Sequence, residues 1–183
     1  MSLYLCAAGK GEVTPGQCLD CALKGDNLCG FEYALLAKML ADDGRTGIHV
    51  SDLVSCLRKA YYQRTEKGEP EYIHHRLPAF VGKGVHAYLE NQAKDEFDTE
   101  VTVGGWGVVG TADVVYRNGR LVDHKTVRKL DTFLLPYPSH VTQLNMYAAM
   151  LEASGHPITE MYVQYIDVNG PSKCPKCNKM VVP

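Results

Sequence analysis

The stretch GTADVVYRNGRLVDHKT, residues 110–126, holds two apolar runs that meet at Asn118-Gly119, a dipeptide that favours a tight hairpin. Asp113 lies on the first run, and Asp123 and Lys125 on the second. Side chains alternate along a strand, so the register decides whether they share a face. A two-residue turn at 118–119 pairs Arg117 with Arg120 and sets Asp113 opposite His124. A three-residue loop, 117–119, with Gly119 left-handed, pairs Tyr116 with Arg120 and sets Asp113 opposite Asp123. In that second register the two α-carbons stand about 4.5–5.5 Å apart, and Lys125 points the same way as Asp123. Two opposed carboxylates among Val114, Val115, Leu121 and Val122 repel each other and lose solvation. A divalent cation relieves both costs, and hard oxygen donors suit magnesium or manganese. The function so implied favours the second register, while the turn chemistry leaves both open. The competing reading is two solvated strand-end aspartates and an edge lysine.

Outward from the hairpin, strands are expected at 99–104, 107–116 and 120–127. A helix from Ser139 to about 153 follows, then a strand at about 159–168. Upstream, helices are expected over 31–43, over 52–66 with Ser51 as cap, and over about 79–97. The helix 52–66 would present Leu53, Cys56, Leu57, Ala60 and Tyr61 on one face. The core order is helix, three strands, helix, strand. Three consecutive strands suggest an antiparallel meander and the later helix a parallel crossover, hence an α/β mixed sheet flanked by helices. Residues 1–50 read as a cysteine-rich arm and helix, 51–168 as the core, and 169–183 as a short tail.

With 183 residues, the chain has the length of one domain with a small appendage. Its 21 acidic and 19 basic residues give a net charge of −2, so a nucleic-acid partner must be met by a local patch. No segment reaches the roughly 20 apolar residues of a membrane span. The amino terminus has no basic region followed by an apolar core, so no secretory signal is expected. The expected compartment is therefore cytoplasmic and reducing, where clustered cysteines point to metal before disulfide. Seven cysteines, an odd count, exclude a closed disulfide framework.

The Asp of GTAD followed by VDHK resembles the PD-(D/E)XK nuclease superfamily. Three more motifs resemble its RecB-like branch: His86 in GKGVH, Gln143 and Tyr147 in QLNMY, and the segment SDLVSCLRKAYY at 51–62, similar to the CRISPR-associated RecB-like exonucleases. The resemblance spans residues 51 to about 168. It implies a restriction-endonuclease-like core, with His86, Asp113 and Asp123 as metal ligands and the His124 carbonyl as a fourth. Lys125 would be catalytic, and Gln143 and Tyr147 would face nucleic acid or organise the site. Arg58 and Lys59 beside Tyr61 and Tyr62 mix cations with aromatics, as single-strand grooves do. His86 adds an imidazole, which tilts the metal preference toward manganese.

Cys6, Cys18, Cys21 and Cys29 are spaced C-x11-C-x2-C-x7-C, and four thiolates make a tetrahedral zinc site. Cys56, Cys174 and Cys177 match three positions of the iron–sulfur pattern in the CRISPR-associated relatives, while a [4Fe–4S] cluster takes four thiolates. Three explanations stand open: an amino-terminal cysteine completes the cluster, the last ligand lies beyond Pro183, or CPKC is half of a zinc ribbon and Cys56 an ordinary helix-face residue. The functional expectation is a Mg2+- or Mn2+-dependent deoxyribonuclease of prokaryotic or viral origin. It would act as an exonuclease in repair, recombination or CRISPR adaptation, with DNA and the proteins of such a complex as partners. The alternatives are a zinc-stapled DNA-binding module without catalysis and a subunit of a helicase–nuclease.

Overall fold

The computed structural model describes residues 3–26, 29–41, 46–65, 70–90, 94–128 and 134–168. In chain order the elements are β1 (Tyr4–Leu5), β2 (Glu12–Val13), α1 (Pro15–Leu23), α2 (Tyr33–Leu40), β3 (Ile48–His49), α3 (Val50–Val54) and α4 (Leu57–Thr65). Then come β4 (Glu71–Tyr72), a 3-10 turn (Ile73–Arg76), α5 (Leu77–Glu90), β5 (Phe97–Gly105), β6 (Val108–Tyr116), β7 (Arg120–Val127), α6 (Pro138–Ala153) and β8 (Glu160–Asp167). Two compact units result: Met1–Gly47 with Ser55–Gly84, and Ile48–Val54 with Val85–Pro183, the latter described to Val168. Compactness thus groups residues 55–84 with the amino-terminal arm, whereas composition grouped the chain as 1–50, 51–168 and 169–183.

In the first unit, β1 pairs antiparallel with β2 and parallel with β4. The arm, which reads as loop-rich, contains helix α1. Thr14 accepts the Gln17 N–H at 3.2 Å, the Gln17 side chain accepts the Thr14 N–H at 2.8 Å, and Pro15 occupies the first turn. This reciprocal cap nucleates a helix that has no buried residue of its own, which is why no apolar period announced it. α2 starts where the Glu32 carboxylate accepts the Ala34 and Leu35 N–H groups at 2.8 and 2.6 Å. Its Leu36 and Met39 join Tyr4 and Ile73 in a small core.

The helix expected over 52–66 is two helices. The break at Ser55–Cys56 separates α3 from α4, and the two belong to different units. Of the face expected to be apolar, only Ala60 is buried, while Leu53, Cys56, Leu57 and Tyr61 are exposed. Cys56 is therefore not a buried helix-face residue. Ser51 lies inside α3, and it is the Asp52 carboxylate that accepts the His49 N–H at 2.8 Å at the helix entrance. Similarly, Pro138 rather than Ser139 opens α6, and α5 ends at Glu90 rather than 97.

The second unit is the expected α/β arrangement. β5, β6 and β7 form an antiparallel meander, and α6 carries the chain across to β8, which pairs parallel with β7 from Arg120–Glu160 to Val127–Asp167. One edge of β6 is occupied by β5 along its length. The other is shared: β7 pairs at Val114 and Val115, and β3 pairs parallel at Val108 and Val109. Between these contacts β6 is forked open. The core joins Val50, Val103, Ala112, Val115 and Leu121 to Leu144, Tyr147, Ala148, Met150 and Leu151 of α6. Gly110 has no side chain because Tyr147 lies on it: a Cβ there would stand 2.6 Å from Tyr147 Cε1 and 3.1 Å from Val50 Cγ2.

Candidate active site

Two turns set the geometry. The β6–β7 loop takes the three-residue form, with Val114 opposite Val122 and Val115 opposite Leu121. Gly119 is left-handed at φ +88°, and its N–H donates to the Tyr116 carbonyl at 3.0 Å. A Cβ at Gly119 would also stand 2.8 Å from the Pro157 carbonyl oxygen. One further step along this register sets Asp113 opposite Asp123. The ladder itself stops short of that step, because the His124 N–H donates to Asp113 Oδ2 at 2.6 Å instead of to a backbone carbonyl of β6. The carboxylate thus props the fork open.

The β5–β6 turn at Trp106-Gly107 has both residues at positive φ, +53° and +77°. It pairs Gly105 with Val108, and the register runs unbroken to Phe97–Tyr116 except at one place. Thr99–Val114 and Val101–Ala112 pair, but Glu100, at φ +50°, and Asp113 between them do not. Glu100, Asp113 and Asp123 therefore occupy one row across three strands. Sequence reading missed Glu100. The signal that could have found it was the GGWG turn, which fixes the count back from Asp113.

His86 of α5 reaches this row, with Nδ1 3.5 Å from Glu100 Oε1 and 3.4 Å from Asp113 Oδ1. Among the described residues, His86, Glu100 and Asp113 are the one set of three metal-type donors with ligand atoms within 4.8 Å of one another. The bond to Asp113 raises the His86 imidazole above its ordinary value against the opposing effect of burial. Burial, then the charge of Asp113, raises the Glu100 carboxyl.

Asp123 is 1% exposed, and burial raises its carboxyl while Lys125 pulls it down. Lys125 Nζ donates to Asp123 Oδ1 at 2.9 Å and makes an ionic contact with Oδ2 at 2.7 Å. That second contact lacks hydrogen-bond alignment, so Oδ2 is a buried oxygen with no hydrogen-bond donor. The charge on that oxygen is met by the Lys125 ammonium.

The His124 ring packs edge-on to His86, centroids 6.4 Å apart, and burial lowers its pKa. Gln143 and Tyr147 are buried, and Gln143 Nε2 donates to the Tyr147 hydroxyl at 2.8 Å. Neither can stack on a base. Their burial is at odds with the expectation that they face nucleic acid. The Tyr147 phenol is raised by burial and also feels the charges of Asp123 and Asp113. His140 was also missed: its Nδ1 lies 2.9 Å from the Tyr165 hydroxyl, and burial and the Lys125 charge lower its pKa.

Arg58 lies in the first unit, its guanidinium carbon 5.7 Å from the Tyr62 ring centroid. Cys6, Cys18, Cys21 and Cys29 line one cavity of that unit, and Cys56 is exposed. Cys174 and Cys177 lie outside the described residues. Among the described residues no helix is long and apolar enough to cross a membrane.

The crystal structure of SSO0001 is similar to this chain, with a TM-score of 0.55 and 24% identity over 81% of this chain and 73% of that one. That likeness bears on the fold, which both share as a mixed α/β arrangement. No family model and no curated protein matches the chain.

Proposed function

We propose that this chain is a divalent-cation-dependent nuclease of the RecB-like PD-(D/E)XK type that hydrolyses DNA phosphodiester bonds. The observation that carries the reading is the Val114–Val122 register, which continued by one step brings Asp113 level with Asp123, together with the Lys125 ammonium on Asp123. The donor set fits a hard cation. It offers His86, Glu100 and Asp113 in one cluster, and Asp123, outside that cluster, is held by the Lys125 ammonium. Oxygen donors with one imidazole suit manganese or magnesium. Such an ion, when bound, polarises a phosphate and lowers the pKa of a water.

The side chains of the chain supply the rest. The Lys125 ammonium stands beside Asp123, where it can neutralise the negative charge that develops on a phosphate under attack. Asp113 fixes the strand fork through the His124 N–H, so the backbone at the DHK segment is held open toward its ligands. The buried Gln143–Tyr147 pair stands close enough for Tyr147 to feel the charges of Asp113 and Asp123.

The test is a Mn2+-dependent assay on end-labelled linear and on circular DNA, with Asp113→Asn and Lys125→Ala beside the parent protein. The parent should shorten linear DNA. Each variant should lose at least about 100-fold in rate, the scale on which positioned acid–base and charge-stabilising groups act, while Asp113→Asn keeps its DNA binding. Wild-type cleavage by Asp113→Asn would overturn the site assignment. A correctly folded parent that binds Mn2+ but cuts neither substrate would overturn the nuclease reading.

A further inference from the structure

The first unit carries four thiols that the proposed reaction does not use. Cys6 sits in the β1–β2 hairpin. Its N–H donates to the Gly11 carbonyl and its carbonyl accepts the Gly9 N–H, both at 3.0 Å, with Gly9 and Gly11 at φ +74° and +77°. This knuckle turns the chain sharply around the Cys6 side chain. Cys18 and Cys21 are three residues apart on α1 and therefore share a helix face. Cys29 follows the helix, just before left-handed Gly30. All four are free and partly buried, and they line the same cavity of about 380 Å³. Cys56 is not among the lining residues.

The four also interact. Burial, and then the charges of Cys29, Cys6 and Cys21, raise the Cys18 thiol. Four thiolates gathered in one half-buried place repel one another, as the carboxylates do in the other unit. The cavity wall carries Lys10 and Lys24 but also Glu12, Asp20 and Asp26, so it leaves that repulsion for a bound cation to relieve. The unit also has little else to hold it together. Its buried apolar cluster is Tyr4, Leu36, Met39 and Ile73, and Cys18 and Cys29 already pack against it. α1 buries no residue of its own. Small units with so slight a core generally need a staple.

We propose that Cys6, Cys18, Cys21 and Cys29 hold one structural zinc ion, in a closed four-thiolate site that fastens the β1–β2 hairpin to α1. The ligands come from a hairpin knuckle, a single helical turn and the turn after the helix, a set that one ion with Zn–S bonds of about 2.3 Å can close as a tetrahedron. Among the described residues, no three of the sulfurs lie within 4.8 Å of one another. Zinc uptake therefore draws the cavity inward, and each thiol gives up its proton to solvent as its sulfur binds. With all four positions filled by sulfur, no site remains for water, so the role is structural.

The inference does not rest on the nuclease reading, and its readouts need no activity. Full-length protein is purified from medium containing both zinc and iron, and its metal is measured by native mass spectrometry and elemental analysis. One zinc per chain and a colourless solution are expected. Cys18→Ser/Cys21→Ser should drop to less than about a tenth of a zinc per chain, while Cys56→Ser keeps the full complement. Should the double variant fail to fold, the parent stripped by chelator and titrated with Co2+ supplies the second measurement. It should show the strong ligand-field bands of tetrahedral cobalt thiolate at one equivalent, with protons released. Brown, iron-containing protein that loses its colour in the double variant would overturn the proposal in favour of an iron–sulfur centre. Absence of cobalt bands, or zinc retained in the double variant, would overturn it outright.

Discussion

Replacing Gly110 by alanine places a methyl carbon 2.6 Å from Tyr147 Cε1, 3.4 Å from Cδ1 and 3.1 Å from Val50 Cγ2. Carbon atoms in contact prefer about 3.5–4.0 Å, so the overlap with the ring is about 1 Å. The ring cannot swing clear cheaply, because it is 5% exposed and its hydroxyl is held by Gln143 Nε2 at 2.8 Å. Overpacking of this kind costs about 1–3 kcal/mol. At roughly 2–4 °C per kcal/mol for a chain of this size, the second unit should melt about 2–12 °C lower. Thermal unfolding of Gly110→Ala in the absence of divalent ions reads this directly. Tyr147→Leu removes the ring atom that is struck, so the double variant should recover part of the loss, with a coupling of about 1 kcal/mol. On the proposed nuclease reading, the single variant should also cleave DNA more slowly than its stability loss explains, because Tyr147 feels the charges of Asp113 and Asp123. A Gly110→Ala protein that melts with the parent, or penalties that simply add in the double variant, would refute the packing argument.

Glu100→Gln should have opposite effects with and without metal. It removes a carboxylate set against Asp113, so the apo-protein should gain up to about 1 kcal/mol, while the rise in Tm on adding Mn2+ should shrink. A Glu100→Gln protein that loses stability without metal would show that Glu100 is held by more than His86. The His86 imidazole should titrate above the ordinary range in an NMR pH series without metal, and fall back toward it in Asp113→Asn. A raised folded-state pKa means that the contribution of this pair to stability is full below the ordinary imidazole value and is lost as pH rises through the raised one. Unchanged titration in Asp113→Asn would refute the assignment of its cause.

Much of the second unit was legible because its elements are long and strongly patterned: β7 falls at 120–127 as read, and β6, α6 and β8 lie within a residue of the expected bounds. The register was not legible locally. Asn118-Gly119 by itself suits either a two-residue turn or a three-residue loop with Gly119 left-handed, and the loop takes three. The Thr159 N–H donates to the Gly119 carbonyl at 2.8 Å, and the Thr159 hydroxyl donates to the Asn118 carbonyl, 41 residues away, at 3.3 Å. A contact so distant leaves no trace in the local pattern. Glu100 was hidden for a similar reason, since its place opposite Asp113 depends on a turn with a tryptophan at positive φ, which residue preference disfavours. The break between α3 and α4 divides one apparently continuous helix between two units, and no proline or glycine marks it.

The row of carboxylates is set by the spans of two short loops, since neither Trp106-Gly107 nor Arg117–Gly119 contributes a side chain to it. Apart from Gly107 and Gly119, whose left-handed backbone favours glycine, their composition is open to drift, but their length is not. One residue inserted between Tyr116 and Arg120 would leave every strand apolar and every catalytic candidate present, yet turn Asp123 and Lys125 away from Asp113. Among descendants of this chain, insertions and deletions should be tolerated in the β7–α6 connection and purged from these two turns.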